Sequence, residues 1–99
     1  MDFKCLGKNG MIFIDELSKV IPEYIEKGKI EKLKDFNIYT LNIEDSSTKE
    51  SLRVSYVTCE ELITIGYDVY DHKHFSKDVD GENFIEKSIQ FLNKVYKKD

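Results

Sequence analysis

Between residues 36 and 72 the chain changes character at every second position, in segments joined by short polar connections. Phe36, Ile38 and Thr40 alternate with Tyr39, Leu41 and Ile43. Leu52, Val54 and Tyr56 alternate with Arg53 and Ser55. Ile63, Ile65, Tyr67 and Val69 point one way, and Thr64, Asp68, Tyr70 and His72 the other. Period two is the signature of a pleated strand, whose successive side chains leave on opposite faces. The connections, polar Glu44–Glu50 and the turn at Cys59-Glu60-Glu61, are too short for a parallel crossover, which needs about a dozen residues or more. The three segments therefore predict an antiparallel meander with an apolar face that something else must cover.

The last quarter of the chain supplies a cover. Ile85, Ile89, Leu92 and Tyr96 fall at helical spacing, and Phe84, Phe91 and Val95 widen the stripe. Asp80 is the expected N-cap, with Val79 packing on Phe84 as a hydrophobic staple. Glu82 and Glu86 come early and Lys94, Lys97 and Lys98 late, which suits the helix dipole. A second helical segment is expected over 15–33. Asp15 is its N-cap, Leu17, Val20, Ile21, Tyr24 and Ile25 its apolar face, and Pro22 the first turn of a second piece. Gly28 is read as a left-handed cap, with Ile30 and Leu33 adding one more amphipathic turn. Before it, Phe3–Leu6 and Met11–Ile14 flank Asn9-Gly10, the strongest short hairpin signal. The alternative is an irregular arm leading into a helix near Met11. The fold class expected is α+β: an antiparallel sheet of three or more strands against an N-terminal helical segment and a C-terminal helix.

Ninety-nine residues suit a single domain, 1–99, with one core and little room for an enclosed pocket. The longest apolar run is Met11–Ile14, far short of the roughly 18 residues of a membrane span. The first residues hold one lysine and no hydrophobic run of the secretory kind, so a cytoplasmic location is expected. Cys5 and Cys59 then read as reduced thiols, expected to be buried as small apolar side chains.

The net charge of −4 is unevenly placed. Residues 60–86 hold eight acids, Glu60, Glu61, Asp68, Asp71, Asp78, Asp80, Glu82 and Glu86, against Lys73 and Lys77. The remainder of the chain is slightly basic. A field of one sign steers an oppositely charged partner, although many such faces serve only solubility. His72 and His74, with Asp68, could ligate zinc or iron(II) on one strand face and give a small metal-dependent enzyme. No fourth ligand stands at a recognisable spacing, so neither a metal nor a cofactor is expected. Asp78-Val79-Asp80-Gly81 looks like part of a calcium loop, but Lys87 occupies the position of the closing bidentate acid. Glu60 and Glu61 diverge as neighbours, and no serine, cysteine or glycine pattern marks a nucleophile or a phosphate loop. The bases are scattered among acids, so direct nucleic-acid binding is not expected.

Tyr70 interleaved with Asp68, Asp71, Asp78, Asp80 and Glu82 is the composition of a protein-binding surface for arginine and lysine. The stretch YDVYDHKHFSKDVDGE (67–82), with the short length and no catalytic motif, resembles the small acidic immunity proteins of bacterial contact-dependent growth inhibition and related toxin systems. The resemblance implies a non-enzymatic protein that blocks a cognate toxin in a tight one-to-one complex; by charge, the complement of this stretch is a basic groove such as a nuclease carries. It carries over no individual residue role.

Overall fold

The computed structural model describes residues 2–45, 50–67 and 72–96. The predicted meander is present and larger than three strands. Five strands, β1 (Lys29–Leu33), β2 (Phe36–Asp45), β3 (Glu50–Val57), β4 (Leu62–Gly66) and β5 (His72–Ser76), pair antiparallel in chain order. Tyr39, Leu41 and Ile43 of β2, Leu52, Val54 and Tyr56 of β3, Ile63 and Ile65 of β4 and Phe75 of β5 form one buried face. Two helices cover it, α1 (Gly7–Val20) and α3 (Phe84–Val95), so the fold is α+β. Phe13 of α1 stacks on Tyr56 with ring centroids 5.9 Å apart, and Phe91 of α3 packs against Phe75 and Tyr67.

α3 keeps the expected stripe. Phe84, Ile85 and Leu92 are buried, and Ile89, Phe91, Val95 and Tyr96 pack against the same core. Its start differs. The N-cap belongs to a separate one-turn helix, α2 (Lys77–Asp80), where the Ser76 hydroxyl accepts from the Val79 amide at 3.2 Å. The Asp80 carboxylate reaches back to accept from the Ser76 amide at 3.0 Å. Gly81, at φ +75°, then turns the chain into a 3-10 turn before α3. Val79 is 85% exposed and makes no staple with Phe84.

The N-terminal expectation is corrected. Asn9-Gly10 is no hairpin turn: a 3-10 turn, Lys4–Leu6, runs into α1, and Asp15 lies inside that helix rather than capping it. Gly10 is needed for contact, because a Cβ there would sit 2.4 Å from the Leu6 Cβ and 3.0 Å from the Tyr56 ring. Pro22 does open a second piece, the 3-10 helix Pro22–Lys27. Gly28 is extended at φ −73° instead of left-handed, and its missing Cβ makes room for the Tyr39 ring. Residues 29–33 are an edge strand, not a helical turn. The Lys34-Asp35 connection joins it to β2 with neither residue at positive φ, so it lacks the chemistry that marks a type I′ turn. β4 stops at Gly66 and β5 returns beside it, splitting the third predicted segment in two. Both cysteines are exposed and free, contrary to the burial expected.

Candidate functional site

The helices cover one face of the sheet, and each strand sends its alternate side chains to the other. Thr40, Ser55, Thr64 and His74 lie in register across β2 to β5 there. Beside them a cleft of about 370 Å³ is lined by Asn42, Arg53, Gly66 and His72. His72 and His74 share this face, as period two requires, with ring centroids 4.9 Å apart. His74 Nδ1 lies 2.8 Å from Thr64 Oγ1. Among the described residues no three His, Cys, Asp or Glu side chains gather as a metal-ligand set. Asp68, the third ligand considered from the sequence, lies outside those residues.

The acidic residues collect elsewhere, where the β3–β4 turn meets the start of α2. The Lys77 amide donates to the Glu61 carbonyl at 3.4 Å and brings the two segments together. Glu61 is the one non-glycine residue at positive φ among those described, at 44°. That conformation costs an L-residue roughly 1–2 kcal/mol and persists only where contacts impose it. Here Asn9 of α1 donates from its amide to the Glu61 carboxylate, and Lys77 lies 3.8 Å from the other oxygen. Between turn and helix is a concavity of about 440 Å³, lined by Glu60, Glu61, Lys77, Asp78 and Val79 among others.

A second and larger depression, about 660 Å³, runs between α1 and α3. Its walls carry Lys8 and Glu16 on one side and Glu82 and Glu86 on the other, with Ile12, Ile85 and Ile89 between them. The two depressions adjoin. Asn9 lines the groove and holds Glu61, while Lys77 lines the concavity and lies 4.0 Å from Glu82. Together they present six carboxylates against two ammonium groups. Glu60, Asp78 and Glu86 make no ion pair within the described residues. Glu82 is 87% exposed, so its contact with Lys77 is weak by the standard of surface pairs. The arrangement gathers negative charge of the kind that steers an oppositely charged surface.

The residues expected from the sequence divide three ways. Asp78 and Glu82 lie on this tract. Asp80 is engaged within its own turn, bonded to the Ser76 amide and 3.8 Å from Lys87 Nζ. Asp68, Tyr70 and Asp71 lie outside the described residues. Sequence reasoning missed Ile12, because a hairpin reading gives residues 11–14 no helical face, and it left Glu16 without a role inside the expected 15–33 helical segment. It counted Glu60 and Glu61 in the acidic stretch and at a turn, without assigning them to the partner-binding surface. No protein family, curated protein or solved structure matches this chain. Fold and site define it as an α+β protein with a two-helix layer, an open sheet face and an acidic tract at the helix edge.

Proposed function

We propose that this chain is a non-enzymatic binding module that neutralises a basic partner protein, acting as an immunity protein toward a cognate toxin in the cytoplasm. The observation that carries the reading is the continuous acidic tract over the β3–β4 turn, α2 and the α1–α3 groove, with Val79 exposed beside Asp78. Carboxylates arranged this way speed encounter with a basic surface, and adjacent aliphatic side chains supply contact area that is desolvated on docking. A toxin whose own substrate is a polyanion presents the complementary surface.

The test is co-expression of the tagged chain with the product of the adjacent open reading frame. A one-to-one complex that survives purification, and whose formation abolishes that protein's toxicity, is the expected result. Failure to capture it, or capture with toxicity intact, would overturn the reading.

A further inference from the structure

We infer that the groove between α1 and α3 is the seat for one amphipathic helix of the basic partner, its apolar stripe against Ile12, Ile85 and Ile89 and its lysines or arginines against Glu82 and Glu86. This inference rests on the partner-binding reading above and assigns it a place and a shape.

Three observations lead here. The first is the floor. Ile12 is 42% exposed on α1, and its neighbour Met11 is 44% exposed, although the core face of the same helix buries Phe13, Ile14 and Leu17. Lys8, Ile12 and Glu16 follow one another at i, i+4 and i+8, so the exposed isoleucine is the centre of a ridge along the groove. Across the groove the matching ridge is Glu86 and Gln90 of α3, preceded by Glu82 of the 3-10 turn, and Ile85 and Ile89 stand beside it. An aliphatic trough between two helical ridges is the surface into which a third helix packs its own ridge.

The second observation concerns the occupant's backbone. An extended peptide gains its affinity from main-chain hydrogen bonds to a sheet edge. The walls of this groove are α1, α3 and the 3-10 turn before α3, and no strand edge is among its lining residues. A segment seated there has to satisfy its own backbone, and a helix does.

Charge is the third. The rims carry Glu16, Glu82 and Glu86 against Lys8, and the groove opens onto Glu60, Glu61 and Asp78. Glu16 is already 3.1 Å from Lys19, whereas Glu86 has no ion pair within the described residues. The free charge therefore lies on the α3 side, which fixes the side on which the occupant's cations sit.

The probe is a synthetic helical peptide with a leucine stripe flanked by lysines, titrated into isotopically labelled protein. Two controls accompany it: the same peptide with glutamates for the lysines, and one of equal composition broken by proline. The expected result is methyl shifts at Ile12, Ile85 and Ile89 for the first peptide, and weak or no shifts for the controls. Ile12→Ser and Glu86→Lys, both surface changes, should each weaken binding about tenfold, as loss of a central contact commonly does. Glu31→Lys, on the first strand, should leave it unchanged. Shifts confined to the open sheet face, or equal binding of the proline-broken peptide, would overturn the groove as a helix seat. The captured toxin separates this inference from the reading beneath it. If the complex forms and Ile12→Ser and Glu86→Lys leave its affinity unaltered, the groove is wrong and the reading stands. If no complex forms while the peptide still binds the groove, the reading falls alone.

Discussion

Tyr39 is fully buried and donates its hydroxyl to the Ile25 carbonyl at 3.0 Å, tying the sheet to the 3-10 helix beyond Pro22. Burial pushes its phenol up to about 12, with Glu26 adding to the shift, and burial does the same to Tyr56, aided by Glu61. The unfolded chain releases these protons near pH 10. The folded state thus holds them more tightly, and the stability they contribute is whole below about pH 10 and lost as pH rises toward 12. Urea midpoints should hold level with respect to these groups up to about pH 10 and fall above it. Tyr39→Phe should cost about 0.5–1.5 kcal/mol at neutral pH, because one buried hydrogen bond is lost while the Ile25 carbonyl keeps the Gly28 amide as its donor. It should also fall less steeply in alkali; an alkaline slope equal to the wild type would contradict the assignment. The same scale holds the plainest misreading of the sequence. Asn9 and Gly10 have turn chemistry, yet Gly10 serves a close approach to Tyr56 and Asn9 anchors Glu61. A local signal cannot distinguish a glycine needed for its φ from one needed for its size.

At the scale of elements, α3 was legible because its stripe is long and its period unambiguous. Strand β1 was not. Its charged residues, Lys29, Glu31 and Lys32, belong to an edge strand that blunts pairing with other chains, and they mask the single inward Ile30. Helix α2 was missed by a reading that opened the last helix at Asp80. The Ser76 hydroxyl caps it, so Ser76→Ala should cost about 1 kcal/mol. The loss should be local. Amide exchange at Lys77–Asp80 should quicken, while α3, anchored by fully buried Leu92, keeps its protection. Equal loss of protection in both helices would mean that α2 and α3 open as one unit.

For the whole molecule, the charge that matters is its placement. The acidic tract gathers Glu16 of α1 with residues 60–86, more than forty positions away in the chain. Charge reversal at Asp78 and Glu82 should slow association with a basic partner by about tenfold at low salt and leave dissociation little changed. Added salt should narrow the gap between variant and parent. An association rate indifferent to both would leave the tract without a role in encounter. No described helix is long and apolar enough to cross a membrane.

The sequence by itself determined the antiparallel meander and the amphipathic last helix, because period and connection length act locally and leave few alternatives. Its acidic bias was also visible. Tertiary structure decided which acids meet, since Asp80 is consumed in its own turn while Glu61 is held in the left-handed region by Asn9. It also decided that Ile12 faces a groove instead of a hairpin partner. Those outcomes depend on packing between segments distant in the chain, which no local pattern encodes.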